Sequence, residues 1–214
     1  MKYARLIEDD RLHQVIVGRY ADVAASVRRA PPRCGDVRLV AIDGPGGAGK
    51  SVLADRLAAF LGGAPIVHTD DFASWDEPID WWDRLEAEVL GPLERGDPVR
   101  YRAYDWVKRQ LGEWRVLPAS DVVVLEGVSS ARRAVAGRLS LAIWVETPRG
   151  VRLARGIARD GDAMRPRWET WMAEEDAHYA VDRTRDRADV IVDGAPSIAH
   201  EPELEYVRWT LGGP

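Results

Sequence analysis

Two spacings of apolar residues alternate along this 214-residue chain. In residues 11–29, Val15, Ile16, Tyr20, Val23, Ala24 and Val27 recur at helical spacing, which predicts an amphipathic helix ended by Pro31-Pro32. Residues 37–43 form a β-branched apolar run of strand character, and residues 51–61 return to helical spacing before a Gly62-Gly63 stop. Residues 65–69 are a short β-type run that delivers Asp70-Asp71. Residues 78–95 predict a helix opened by Pro78 and closed near Gly96, with Ile79, Trp82, Leu85, Val89 and Leu93 on one face. Residues 97–118 have no clear period and read as a loop or small hairpin. The runs 122–125 and 141–146 are continuously apolar, as buried parallel strands are. Thr147-Pro148 offers an N-cap and first-turn proline for a helix to about residue 159, Pro166 opens another, and residues 189–192 are a last strand. Strands alternating with helices make an α/β fold with a parallel sheet covered on both faces.

In open sheets of this kind, ligands bind outside the carboxyl ends of the strands. That rule selects Asp70, Glu126, the segment after Glu146 and, above all, residues 44–51. These read Gly44-Pro45-Gly46-Gly47-Ala48-Gly49-Lys50-Ser51, a full match to the phosphate-loop pattern G-x-x-x-x-G-K-[ST] between a strand and a helix. Glycines let backbone N–H groups through to Val52 point inward at phosphate oxygens, beside the positive end of the following helix. Lys50 can reach the β- and γ-phosphates and the Ser51 hydroxyl can ligate Mg²⁺. The alternative is a surface glycine turn, which the flanking strand and helix argue against. A nucleoside triphosphate, with ATP and Mg²⁺ as the expected pair, is the ligand.

Composition narrows the partners. A formal net charge of −5 speaks against a general nucleic-acid binder. One cysteine, Cys34, excludes an internal disulfide and a cysteine-rich zinc site; its setting in residues 30–35 reads as a linker with an incidental thiol. The N-terminus lacks a signal-peptide core and no apolar run has bilayer length, so the expectation is a soluble, cytoplasmic protein acting on a small molecule. Whether it forms a homo-oligomer is left open. Nine tryptophans stand against two phenylalanines. Most are assigned to packing, and Trp75 and Trp106 to an aromatic wall for a flat or ring-shaped substrate.

A phosphotransferase also needs a carboxylate to accept the acceptor's hydroxyl proton and acidic groups to hold the metal. Asp70 suits the first role and can also touch the metal; Glu126 suits the second. The competing assignment for each is a helix cap. Arg152, Arg155 and Arg159 can share one helix face, with Arg165 beyond, and could sit over developing phosphoryl charge. The competing assignment is a solvated basic face.

The phosphate loop, Thr69-Asp70-Asp71-Phe72, Trp75-Asp76-Glu77-Pro78, Arg102-Ala103-Tyr104-Asp105-Trp106, Val124-Leu125-Glu126-Gly127 and Val151-Arg152-Leu153-Ala154-Arg155 follow in an order that resembles uridine kinase and its phosphoribulokinase-related P-loop relatives. The stretches 68–72 and 171–176 are similar to an actinobacterial uridine kinase-like group. The resemblance spans roughly residues 37–193. It implies a P-loop NTPase sandwich with a parallel five-stranded sheet and a small arginine-bearing lid. It divides the chain into an N-terminal helix and linker, 1–35, and a kinase domain, 36–214, with the lid at about 158–167. It places Asp70 as general base, Glu126 at Mg²⁺, Asp76 on ribose hydroxyls, Trp75, Tyr104 and Trp106 along the nucleoside site, and Arg155, Arg159 and Arg165 in the lid.

One position departs from the family. Where uridine kinases carry a histidine that helps read the pyrimidine, this chain has Arg109. The acceptor is therefore either a nucleoside of the uridine or cytidine type or another hydroxyl compound: a sugar, a pantothenate-like molecule or a natural-product intermediate. Arginine there could hold an anionic substrate. A nucleotide-dependent switch with no acceptor is the reading from another class.

Overall fold

The computed structural model describes residues 12–211. Its main sheet has seven strands, which lie side by side in the order β1 (Leu12–Arg19), β9 (Glu205–Leu211), β8 (Val190–Asp193), β7 (Leu139–Glu146), β2 (Arg38–Asp43), β6 (Val122–Glu126) and β3 (Ile66–His68). Five of them run parallel: β2, β3, β6, β7 and β8. These are the five strands that the apolar runs predict. The expected five-stranded sheet is thus the parallel core of a larger one. β9 joins β8 antiparallel, and β1 joins β9 antiparallel.

β1 corrects the reading of residues 11–29 as one helix. Only α1 (Tyr20–Arg29) is helical; it buries Tyr20, Val23, Ala24 and Val27 and stops before Pro31-Pro32. Val15-Ile16-Val17 is a β-branched triplet that fits a pleated strand better than a helix. Gly18 lies opposite Tyr206 of β9, where a Cβ would come within 2.7 Å of the tyrosine ring.

The sheet separates two apolar layers. Val40, Ile42, Val122 and Val124 face α1 and α2 (Lys50–Phe60). Leu39, Ala41, Val123 and Leu125 face the segment made of α3 (Trp82–Leu85), a π-helical turn (Glu86–Leu90) and α4 (Gly91–Arg95). Alternate residues of one strand serve opposite layers, which is why these runs are apolar throughout. The predicted helix over 78–95 therefore begins later, at Trp82, and ends at Gly96 as expected. Cys34 belongs to this second layer: it is fully buried, its thiol lies 3.7 Å from the Leu90 carbonyl, and burial pushes its pKa up to about 11. It is a core residue, not a linker thiol.

β4 (Arg100–Asp105) and β5 (Gln110–Val116) form a separate hairpin with its tip at residues 106–109. α5 (Arg149–Asp160) and α6 (Arg165–Asp182) cross the carboxyl ends of the parallel strands. Thr147 does not cap α5; its hydroxyl donates to the Ala48 and Glu146 carbonyls. No helix of the described residues is long and apolar enough to cross a membrane.

Candidate active site

The phosphate loop is fixed from below by Asp43, the last residue of β2. Its fully buried carboxylate accepts the backbone N–H groups of Gly44 at 2.6 Å, Ser129 at 2.9 Å and Ala131 at 2.7 Å, and the Tyr179 hydroxyl at 2.7 Å. Burial pushes this carboxyl's pKa up, against the pull of those bonds. One side chain thus joins strand end, loop, the turn after β6, and α6. Gly47 has φ 75°, and a Cβ there would meet the Arg152 carbonyl at 2.6 Å, so α5 can lie on the loop only if this residue is glycine. Lys50 is buried, and its Nζ donates to the Pro45 carbonyl at 3.0 Å.

β2 has β6 and β7 as neighbours; β3 lies one strand further out, beyond β6. Asp70, in the turn after β3, is therefore not on a strand flanking the loop, contrary to expectation, but it still lines the same cavity as Lys50 and Ser51. The Ser51 hydroxyl donates to Glu126 Oε1 at 3.2 Å, and His68 Nδ1 lies 2.6 Å from Glu126 Oε2. Burial pushes the Glu126 carboxyl up, but His68 and the Lys50 charge outweigh it, and its pKa ends below the usual value. The bond to Glu126 raises the pKa of His68. Asp70 moves the other way: desolvation and the Glu126 charge raise it, opposed by Lys50 and Arg159. A hydroxyl beside a carboxylate, with a second carboxylate in the same cavity, is an oxygen donor set that fits Mg²⁺, an ion that keeps several waters and shares the rest with phosphates. Among the described residues no group of three or more His, Cys, Asp or Glu could hold a metal ion.

The cavity has a volume of about 860 Å³. Gly46, Gly47, Gly49, Lys50, Ser51 and Val52 line one end; Gly44 and Ala48 support the loop without lining it. The opposite wall is aromatic. Trp106 stands edge-on to Trp75 (5.6 Å between ring centres), Trp171 (6.2 Å) and Tyr104 (5.3 Å), and Trp171 is edge-on to Trp168 at 5.9 Å. Two indole bonds pin the wall: Trp75 Nε1 donates to the Trp106 carbonyl at 2.8 Å, and Trp106 Nε1 to the Asp70 carbonyl at 3.1 Å. Trp168 enters because Gly156 on α5 has no side chain; a Cβ would lie 2.3 Å from the indole.

Several expected residues take other places. Arg152 is buried beside Glu175, 3.7 Å away, rather than over the cavity, and burial depresses its pKa. Arg155 lines the cavity while donating to the carbonyls of Gly47 and Ala48 at 3.3 Å and of Gly194 at 2.9 Å. Arg159 lines it too, over Trp168 and paired with Asp160. Arg165 lies outside the lining, half-exposed beside Asp162. Trp75 and Trp106 line the cavity; Asp76, Tyr104 and Arg109 do not. Asp76 is exposed, and Arg109 stacks its guanidinium 4.9 Å from the Trp75 ring centre.

Glu175 was not anticipated. Its buried carboxylate accepts the Gly46 N–H on both oxygens, at 3.1 and 3.0 Å, and burial raises its pKa. The spacing of Trp168, Trp171 and Glu175 on one helix face was the available signal, but the sequence does not say that this face meets the phosphate loop.

A model of the Phosphoribulokinase / Uridine kinase family matches residues 75–200. The uridine kinase of Borrelia garinii subsp. bavariensis is 24% identical over 199 residues, covering 81% of this chain and 93% of that one. Among solved structures, a protein named as a possible uridine kinase from Bacillus stearothermophilus is 19% identical with a TM-score of 0.60, covering 81% of this chain and 97% of its own. One named provisionally as a fructose transport system kinase, from Silicibacter sp. TM1040, is 23% identical with a TM-score of 0.61, covering 75% and 94%. The two structures share the fold.

Proposed function

This chain belongs to the Phosphoribulokinase / Uridine kinase family, phosphotransferases with a hydroxyl acceptor, and we propose that it moves the γ-phosphoryl group of ATP, with Mg²⁺, onto a ring-bearing alcohol of the nucleoside type. The observation that carries this reading is one cavity lined by Lys50, Ser51 and Asp70 at one end and by Trp75, Trp106 and Trp171 at the other. The loop amides and Lys50 hold the phosphates. Ser51 and Glu126, with Asp70 near them, would hold Mg²⁺, which when bound offsets phosphate charge. Asp70 takes the proton of the acceptor hydroxyl as its oxygen bonds to phosphorus and the bond to ADP breaks. Arg155 and Arg159 face the phosphates and neutralise charge as the group moves. The tryptophan wall orients a flat ring and excludes water.

Tyr104, Arg109 and Arg165 belong to this proposal only as residues that reach the acceptor when the hairpin and the α5–α6 turn close over it; Asp76, exposed and on neither segment, is given no part in it. Their position off the cavity, and Arg109 in place of the family's histidine, favour a second reading with the same chemistry and a sugar-type acceptor. Incubating the protein with γ-labelled ATP, Mg²⁺ and a panel of nucleosides, their 2′-deoxy forms, sugars and pantothenate tests both. A labelled product that needs one of these acceptors is expected. ATP hydrolysis at a slow rate that no acceptor alters would contradict the kinase reading and favour a nucleotide switch.

A further inference from the structure

His68 and Glu126 are register partners on adjacent parallel strands, the last residues of β3 and β6. Partners in register present their side chains side by side on the same face of the sheet. The strand pairing itself therefore brings the imidazole to the carboxylate, with Nδ1 2.6 Å from Oε2. An ionised carboxylate can only accept, so Nδ1 carries the proton of this bond. The other oxygen, Oε1, accepts the Ser51 hydroxyl at 3.2 Å. Each oxygen of Glu126 thus has its own partner, and the rotation of the carboxyl group is fixed from both sides. Glu126 is buried and feels the Lys50 charge, so without His68 the carboxylate could turn Oε1 away from Ser51.

We propose that His68 is a positioning residue for the metal: by holding Oε2 it aims Oε1 of Glu126, together with the Ser51 hydroxyl, at the ion that accompanies the nucleotide. This rests on the Mg²⁺-dependent reading above. Groups that orient a ligating carboxylate typically change metal affinity about 10- to 100-fold when removed. The role is separate from proton transfer, which stays with Asp70.

The test measures ADP binding to the full chain by calorimetry, first in EDTA and then across a Mg²⁺ titration, for the parent, His68→Ala and His68→Asn. In His68→Ala, ADP affinity in EDTA should match the parent, while the Mg²⁺ concentration giving half of the metal's effect rises about 10- to 100-fold. His68→Asn keeps an N–H donor at a similar reach and should recover most of that loss. Should His68→Ala melt without a folded baseline, His68→Leu, bulky and without a donor, takes its place. An unchanged Mg²⁺ midpoint in the donor-free variant overturns the proposal, and so does an equal loss in His68→Asn, which would make the imidazole itself the needed group. If Mg²⁺ does not alter ADP binding to the parent, it is the metal-dependent kinase reading that fails.

Discussion

At the donor end of the cavity, Gly46, Gly47, Gly49, Lys50, Ser51 and Val52 come from one short stretch, with Arg155 and Arg159 of α5 beside them, and a loop of this pattern serves phosphate mostly through its backbone. At the acceptor end, Trp75, Trp106, Trp168 and Trp171 arrive from a loop, a hairpin tip and a helix far apart in sequence, and all act through side chains. Backbone geometry that glycines and a helix start impose is local, so it tolerates variation elsewhere. A wall assembled from three segments depends on how each packs against the others. Under the proposed function, the donor end therefore sets the reaction class, whereas the acceptor end can change its substrate by small changes at any of the three.

Breaking the donor end should have the largest effect. Lys50→Ala removes a charge aimed at the transferred group, and turnover should fall about 10³-fold or more. Thermal melting of the variant checks that the fold stays: Lys50 is buried, but among the described residues its ammonium donates to the Pro45 carbonyl of its own loop. Near-normal turnover by the folded variant would dismantle the phosphate-loop assignment.

Cutting the wall should be milder and confined to one substrate. Trp171→Ala deletes contacts with Trp75, Trp106 and Trp168. Aromatic pairs contribute about 0.5–1.5 kcal/mol each beyond burial. Acceptor KM should rise roughly tenfold, a change of about 1.4 kcal/mol, while the KM for ATP stays put. Steady-state kinetics with each substrate varied in turn separates the two; a matching rise for ATP would mean that the wall serves the nucleotide.

The smallest effect is expected at Asp76. It lies exposed and off the cavity, so Asp76→Ala should change the ratio of kcat/KM between a ribonucleoside and its 2′-deoxy form by less than about threefold, well below what losing a buried hydroxyl recognition site costs. A collapse of that ratio would instead show that the 76 segment closes over the ribose.

How much of this was readable follows the same division. The five parallel strands were legible because their central residues are buried, on both faces in β2, β6 and β7, so each run has an apolar centre. The phosphate loop was legible because its chemistry demands fixed residue types at fixed spacing. β1 was not, because Val15 and Ile16 continue by chance into the true helical spacing of Tyr20, Val23, Ala24 and Val27. β9 was not, because its buried Tyr206 shares a face with Arg208 and Thr210, opposite Val207 and Trp209, so the alternation of apolar and polar positions is blurred. Trp75 and Trp106 stand out in the sequence beside acidic and aromatic neighbours, whereas Trp168 and Trp171 read as packing residues, since nothing in α6 itself says that it meets the phosphate loop. Asp43 and Glu175 escaped for a related reason: a buried carboxylate is recognisable by its partners, and theirs are mostly backbone N–H groups, which leave no mark in a sequence.

The central claim is that both ends serve one reaction, with Asp70 between them. It is tested most directly by Asp70→Asn, comparing ATP affinity with acceptor phosphorylation in the same preparation. ATP should bind within about threefold of the parent, while transfer falls about 10²- to 10⁴-fold because a carboxamide cannot take the proton. In the parent, a base must be ionised to act; the rate should therefore fall on acidification as Asp70 takes up its proton, and the variant should lack that limb. Full transfer by Asp70→Asn, with the parent's pH profile intact, would contradict the account.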